Sequence, residues 1–217
     1  MGLPEVVLAE GKSVRHLVGI VRSLAEAGSG ALISRPSTAQ RRALSRLRSE
    51  GVDLTDLADG RLVRLSGPLG VRLRGTVAVL AAGTSDVPCA EESRAVLEAL
   101  GLTVRTAYDV GVAGLHRLTR SLKQLSGTRP RAYLVFAGRE GALPTVVAGL
   151  VRGPVIGVPT SVGYGRGGRG EAALNAMLQS CAPLAVVNID AAVPAALFAA
   201  QLFVPAARTP KLGRPGR

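Results

Sequence analysis

The 217-residue chain is 47% hydrophobic and 19% charged, which excludes global disorder and allows one ordinary domain plus a small second one. Its net charge of +12 points to an anionic partner such as a nucleic acid, a membrane surface or a phosphorylated small molecule. Two cysteines are too few for a disulfide framework, and the apolar runs are too short for a membrane span. We therefore expect a cytoplasmic protein without a membrane partner.

The first 70 residues predict a small α/β domain. Strands are expected at 5–9, 31–34 and 61–66, and helices at 13–27 and 38–50. The second helix carries Arg41, Arg42, Arg46 and Arg48. Because no aromatic residues lie between these arginines to stack on bases, a solvated helix face is favoured over a nucleic-acid site.

Residues 71–204 predict a second domain in which apolar strands alternate with helices. Strands are expected at 76–82, 103–108, 131–137, 154–159 and 184–190, and helices at 88–100, near 115–125, up to about 150, near 171–181 and at 191–203. This pattern indicates an α/β fold with a three-layer parallel sheet of flavodoxin-like type, beside the small N-terminal α/β domain. Residues 205–217 are rich in Pro, Gly and Arg and predict a disordered tail.

The loops that follow the strands of such a sheet all face one edge, where ligands bind. Here they supply a dense set of polar side chains, namely Ser85, Asp86, Asp109, His116, Glu140, Thr160, Ser161, Tyr164 and Asp190. The sequence therefore predicts a binding site at the carboxyl edge of the sheet.

One of these loops is rich in glycine. Gly163, Gly165 and Gly168 form a G-x-G-x-x-G pattern between a strand and a helix, and Asp190 follows about twenty residues later, as a ribose-binding acid would. The pattern lies too late in the chain for a dinucleotide-binding fold. The prediction is therefore limited to backbone amides and a helix N-terminus that hold an anion, and a flexible glycine loop is the alternative.

Three further residues have a functional and a plain interpretation. Asp86, in AAGTSD at 81–86, could accept a hydrogen bond from a ribose or bind hydrated Mg²⁺, with a helix cap as the favoured alternative. Cys181 could be a nucleophile or a buried thiol, and Glu140 a base or a surface carboxylate.

Five segments together carry a family resemblance. GTSDVPCAEE, YDVGVAGLHRL, AGREGALPTVVAGL, PVIGVPTSVGYG and NAMLQSCAPLAVVNID resemble, in this order, the LarB family, the pyridinium biscarboxylic acid mononucleotide synthases of nickel-pincer cofactor biosynthesis. PEVVLAEGKS at 4–13 resembles the start of that family's N-terminal domain. The C-terminal domain is more distantly similar to the PurE-like aminoimidazole ribonucleotide carboxylases and mutases. Their catalytic His falls on Ala142 here and their SAHR segment is replaced by 109–117, which argues against the purine reaction.

The LarB resemblance implies a carboxylase and hydrolase acting on nicotinic acid adenine dinucleotide. Such an enzyme adds CO₂ or bicarbonate to C5 of the pyridinium ring and hydrolyses the phosphoanhydride to release AMP, for the nickel cofactor of lactate racemase. Cys181 is expected to add to the ring as a transient nucleophile, since a thiolate both attacks and leaves readily. Glu140 is the expected base, with His116 in reserve and Asp109 as a further catalytic candidate.

The resemblance also implies binding residues and partners. The substrate- and phosphate-binding candidates are Gly83, Thr84, Ser85, Asp86, Thr160, Ser161, Gly163, Tyr164, Gly165 and Asp190. Magnesium on Asp86 or Asp109 would neutralise the phosphates. We expect a homo-oligomer, an octamer by resemblance. The alternatives are an aminoimidazole ribonucleotide mutase, a non-catalytic dinucleotide-binding protein and a nucleic-acid-binding protein.

Overall fold

The computed structural model describes residues 3–70 and 72–205, which build two sheets. The smaller sheet contains β1 (Val6–Leu8), β2 (Ala31–Ser34), β3 (Leu54–Leu57) and β4 (Leu62–Leu65) in the order β1-β2-β4-β3. β1 and β2 are parallel, whereas β4 is antiparallel to both of its neighbours.

Two helices cover one face of the smaller sheet. They are α1 (Val14–Glu26), where the side chain of Ser13 accepts a hydrogen bond from the His16 amide, and α2 (Thr38–Ser49), which begins with a reciprocal Ser37–Gln40 capping box. Their buried residues pack with the alternate strand residues that face them, so the small sheet has its own core.

The larger sheet is parallel throughout. It contains β5 (Thr76–Ala81), β6 (Thr103–Ala107), β7 (Ala132–Ala137), β8 (Val155–Pro159) and β9 (Ala185–Val186) in the order β6-β5-β7-β8-β9. Its helices are α3 (Val87–Ala99), α4 (Leu115–Ser126), α5 (Ala142–Leu150), α6 (Glu171–Leu178) and α7 (Ala192–Gln201). This is the flavodoxin-like strand order, so the predicted fold is confirmed.

Helices cover both faces of the larger sheet. Val79, Leu134 and other alternate residues face α3 and α7, and the residues between them face α4, α5 and α6. Leu32 and Leu62 of the smaller sheet belong to the same buried cluster as α3 and α7. α3 also contacts the turn at 58–60, so it lies between the sheets, and the smaller sheet packs against the larger unit through apolar contacts.

The structure differs from the prediction in three places. β3 was not expected, α6 ends at Leu178 rather than near 181, and β9 has two residues rather than the seven of 184–190. The short α6 places Cys181 in a loop instead of on a helix. The predicted tail lies, apart from Pro205, outside the described residues.

No helix in 3–70 or 72–205 is long and apolar enough to cross a membrane.

Candidate functional site

A cleft opens at the carboxyl edge of the larger sheet, beside β5 and β7. β6 lies on one side of β5 whereas β7, β8 and β9 lie on the other, and a crevice forms where the strand order switches in this way. The cleft has a volume of about 590 Å³, within the range of small-molecule pockets. Six of the predicted site residues line it, namely Gly83, Ser85, Asp86, Glu140, Gly163 and Tyr164.

Asp86 joins three of the loops around the cleft. It is 5% exposed and ends the 3₁₀ turn that leads into α3. Its Oδ2 accepts a hydrogen bond from the Gly83 amide at 2.8 Å, and its Oδ1 accepts from the Gly138 amide at 3.2 Å and the Thr160 hydroxyl at 2.5 Å. The protein itself uses both carboxylate oxygens, so Asp86 fixes the loops after β5, β7 and β8 relative to one another.

Gly138 is a point of close approach between two of these loops. A Cβ at this position would lie 2.2 Å from the Val162 carbonyl oxygen and 2.8 Å from Oγ1 of Thr160. We therefore expect Gly138→Ala to lower the free energy of unfolding by about 1–3 kcal/mol, since the loop after β8 must move. Chemical denaturation measures this, with Gly149→Ala as the control, because a Cβ there meets nothing within 4 Å. Equal stability of both variants would contradict the close packing.

Glu140 is the carboxylate that remains available in the cleft. It is exposed, and it makes no ion pair with any residue of the described ranges. The described residues that line the cleft include no histidine, and Glu140 and Asp86 are their only acids. Because Asp86 is occupied by three donors, Glu140 is the better-placed proton acceptor.

Arg139 and Tyr164 flank Glu140 at the mouth of the cleft. The guanidinium carbon of Arg139 lies 4.5 Å from the centroid of the Tyr164 ring, and the ring is 74% exposed. A cation and an accessible aromatic surface therefore meet beside the carboxylate. Arg139 is not among the residues predicted from the sequence, although its position directly before Glu140 in the GRE segment was the available signal.

Thr160, Ser161 and Asp190 lie behind the cleft and do not line it. Thr160 is 1% exposed and donates to Asp86. The Ser161 amide donates to Oδ1 of Asp190 at 2.9 Å, which occupies one of the two oxygens of the carboxylate predicted to meet a ribose. Asp190 and the buried Thr160 therefore fix the start of the glycine-rich loop, residues 161–170.

The structure leaves four more predicted residues outside the lining of the cleft. Asp109 is exposed and pairs with Nη1 of Arg117 at 3.1 Å. His116 is exposed on the first turn of α4, and the other two residues, Thr84 and Gly165, are exposed as well. Their predicted roles have no support from the shape of the cleft.

The donors present do not fit the predicted magnesium site. Both oxygens of Asp86 already accept hydrogen bonds, and Asp109 is paired with Arg117. Within the described ranges, no group of three or more His, Cys, Asp or Glu residues could hold a metal ion. Neither of the two predicted carboxylates is thus without a partner in this structure, and no step of the reaction proposed below uses a metal.

Cys181 is exposed, so the interpretation as a buried thiol is wrong for this residue. It lies between α6 and β9. α6 starts at the carboxyl edge and its eight residues carry the chain ~12 Å towards the opposite edge, where the parallel strand β9 begins. Within one chain, the thiol of Cys181 and the cleft therefore lie at opposite edges of the sheet.

Cys89 is the buried cysteine, on α3. Burial, with a smaller contribution from the charge of Asp190, raises the pKa of the Cys89 thiol to about 12. This thiol stays protonated near neutral pH and cannot act as a nucleophile there.

A second opening, of about 790 Å³, lies between α2 and the turn at 58–60. It is larger than the cleft, but it is an open groove on the face of α2 that carries Arg41, Arg42 and Arg48. Arg48 pairs with Asp56 at 3.2 Å, and both side chains are at least 40% exposed. This is the solvated helix face favoured by the sequence, and we place the candidate site at the switch point instead.

The fold and the cleft define a flavodoxin-like α/β protein with a candidate small-molecule site at its strand-order switch. Comparison with known families is more specific: the AIR carboxylase model matches residues 76–212, and the model of the LarB/PurE-like N-terminal domain matches residues 1–60. The chain therefore belongs to the AIR carboxylase family.

Individual relatives agree with this assignment. The chain is 38% identical over 203 residues to an uncharacterised protein of Methanocaldococcus jannaschii, a match that covers 91% of this chain and 78% of the relative. It is 32% identical over 137 residues to a probable N5-carboxyaminoimidazole ribonucleotide mutase of Methanothermobacter thermautotrophicus, covering 60% of this chain and 39% of that protein.

Two solved structures that the chain resembles are PurE proteins. The crystal structure of Treponema denticola PurE has 29% identity and a TM-score of 0.50, and the match covers 60% of this chain and 80% of that one. A PurE2 structure from the same organism matches with 28% identity, the same TM-score and the same coverage.

Proposed function

We propose that the protein carboxylates the pyridinium ring of nicotinic acid adenine dinucleotide at C5 and hydrolyses its phosphoanhydride, giving a pyridinium biscarboxylate mononucleotide and AMP. The observation that carries the proposal is the acid–base content of the cleft. In the described part of its wall, Glu140 is the only carboxylate not already engaged, and the position of the purine-pathway histidine is Ala142. The match of residues 1–60 to a LarB/PurE-like domain supports the same assignment.

The chemistry explains why a thiol is needed. A pyridinium ring is electron-poor and cannot attack CO₂. Addition of the Cys181 thiolate at C4 forms a C–S bond and makes C5 an enamine carbon, which then forms a bond to CO₂. Transfer of the C5 proton to Glu140 returns the electron pair to the ring, and the C–S bond breaks to release the thiolate and restore aromaticity.

Charge favours the same substrate. The chain carries 27 basic residues against 15 acidic ones, and Arg139 lies at the mouth of the cleft. A dinucleotide brings two phosphates that a basic surface attracts, and the exposed ring of Tyr164 offers a flat face to a base or a pyridinium ring.

Cys181 and the cleft lie at opposite edges of the sheet in one chain, so the proposed reaction involves a second copy of the chain. We infer that Cys181 of one protomer enters the cleft of another, in the homo-oligomer expected from the sequence. Apolar side chains are exposed at both places: Leu178 is 64% exposed three residues before Cys181, and Val162 is 40% exposed beside the cleft. A two-fold contact can satisfy both sites at once, because each protomer then gives its Cys181 to the cleft of the other.

The proposal is tested by incubating the protein with the dinucleotide, bicarbonate and Mg²⁺ and measuring AMP and the carboxylated mononucleotide by mass spectrometry. We expect both products from the parent protein. Glu140→Gln should lower carboxylation by ~10²–10⁴-fold, because an amide cannot accept the C5 proton. Glu26→Gln, an exposed glutamate of α1, is the matched control and should retain activity.

Other outcomes of this assay identify the alternatives. Turnover of carboxyaminoimidazole ribonucleotide without AMP from the dinucleotide would replace the proposal with the reaction named for the relatives. Binding of the dinucleotide without any product would indicate a non-catalytic binding protein.

A further inference from the structure

One side chain of the smaller sheet reaches the loops of the cleft domain. Arg35 follows β2 directly and has a left-handed backbone, with φ of 52°. Its Nε donates to the carboxylate of Glu92 on α3 at 3.0 Å, and its Nη2 donates to the backbone carbonyl of Asp190. The guanidinium therefore joins the N-terminal domain to α3 and to the segment before α7.

Glu92 makes this arrangement rigid. Its side chain is 0% exposed, and it also accepts from the Ser34 hydroxyl at 2.7 Å and from Nη2 of Arg61 at 3.4 Å. All three of these partners belong to the smaller sheet or its turns. Loss of a partner would leave the buried carboxylate of Glu92 with an uncompensated charge, which is strongly destabilising. Arg35 is therefore held in place, with its guanidinium donating both to Glu92 and to the carbonyl of Asp190.

Asp190 connects Arg35 to the glycine-rich loop. Its Oδ1 accepts from the Ser161 amide at 2.9 Å, its own amide donates to the Pro159 carbonyl at 2.8 Å, and its backbone has φ of 55°. The neighbouring Ile189 lies so close to Gly170 that a Cβ there would be 2.8 Å from it. Both ends of the glycine-rich loop thus rest on the turn that Arg35 holds.

We propose that Arg35 is a positioning residue, through which the N-terminal domain fixes the glycine-rich loop against the cleft. The smaller sheet then serves the site without contributing a lining residue of its own. The effect on catalysis rests on the proposed function, since it requires the cleft to bind the dinucleotide. The effect on the loop does not, because it concerns the protein without substrate.

The first experiment measures hydrogen exchange of the segments 159–165 and 188–193 in the full-length protein without substrate. In Arg35→Lys the ammonium can pair with Glu92, but without the planar guanidinium it cannot also donate to the carbonyl of Asp190. We expect exchange of the Ser161 amide to become about tenfold faster, as for the loss of one hydrogen bond of ordinary strength. Arg22→Met, which removes an exposed ion pair with Glu50 in the same domain, should leave it unchanged.

A second variant keeps the test valid if Arg35→Lys is unstable. Arg35→Met with Glu92→Gln removes both charges of the buried pair, and the charge that is left, on Arg61, has a side chain that is 37% exposed to solvent. Faster exchange of Ser161 in this double variant supports the proposal. Unchanged exchange in a folded Arg35 variant overturns it.

The last measurement separates positioning from stability. In the carboxylation assay, Arg35→Lys should raise the KM for the dinucleotide by ~10-fold or more, because small displacements of a binding loop are costly, while kcat changes less. If the KM of Arg35→Lys equals that of the parent protein, Arg35 has a merely structural role. If the parent protein makes no AMP at all, the proposed function fails, and the exchange experiment still decides whether Arg35 holds the loop.

Discussion

Cys181→Ser is expected to lower carboxylation of the dinucleotide by at least ~10³-fold, because a hydroxyl is a far weaker nucleophile and leaving group than a thiolate. The residue is exposed in a loop, so the substitution should leave the free energy of unfolding unchanged. The rate of product formation and a thermal melt measure the two effects on the same sample. A mass spectrum should also show an adduct on the Cys181 peptide of the parent protein that the variant lacks.

The other cysteine provides the matched control. Cys89 is buried, and its thiol, with a pKa of about 12, is not ionised near neutral pH. Cys89→Ala should therefore retain carboxylation and lose a little stability from the smaller core side chain. Normal activity of Cys181→Ser, or loss of activity in Cys89→Ala alone, would contradict the assignment of the nucleophile.

Mixed oligomers test where the thiol acts. If Cys181 enters the cleft of another protomer, then co-assembly of Cys181→Ser chains with Glu140→Gln chains produces some sites that have an intact cysteine and an intact glutamate. Activity should reappear on mixing and reassembly, although each variant alone is inactive. Absence of any recovery in verified mixed oligomers would mean that both residues must come from one chain, which the topology of α6 and β9 opposes.

The fold could be predicted where burial on both faces of a strand produces a continuous apolar run in the sequence. β5, β7 and β8 are covered by helices on both faces, so they appear as continuous apolar runs whose bounds the sequence gives within two residues. β3 has no such pattern, because Thr55 and Asp56 are exposed on this edge strand. Edge strands are shaped by their partner as much as by their own residues, and β3 was missed for that reason.

The site could be predicted only to the level of its loops. Parallel topology places the segments after the strands at one edge, and those after β5, β6, β7 and β8 do form the cleft. The topology does not determine which side chains point into the cleft. Asp86 and Thr160 hydrogen-bond to each other and so hold the loops together. The place of Cys181 was readable from the same topology, since a residue between a helix and the next parallel strand lies at the amino edge.

Asp86→Asn is expected to lower the free energy of unfolding by about 2–3 kcal/mol, a large effect for a substitution that preserves shape. One oxygen of the carboxylate becomes an NH₂ group, which must face the amide of Gly83 or the donors from Gly138 and Thr160. Either orientation sets donor against donor in a site that is 5% exposed. Urea denaturation measures the change, and Asp56→Asn, at an exposed ion pair with Arg48, should stay within ~0.5 kcal/mol of the parent.

A double-mutant cycle shows whether the contact itself is responsible. Thr160→Val removes the hydroxyl that donates to Oδ1 of Asp86 at 2.5 Å and keeps the shape of the side chain. Residues in one hydrogen-bond network show coupling energies of about 0.5–3 kcal/mol, so Asp86→Asn and Thr160→Val together should cost less than the sum of the single changes. Strict additivity would mean that Asp86 acts through Gly83 and Gly138 alone. In that case the loop after β8 would be held to the cleft by the close approach of Val162 to Gly138, and Gly138→Ala, rather than Thr160→Val, would release it.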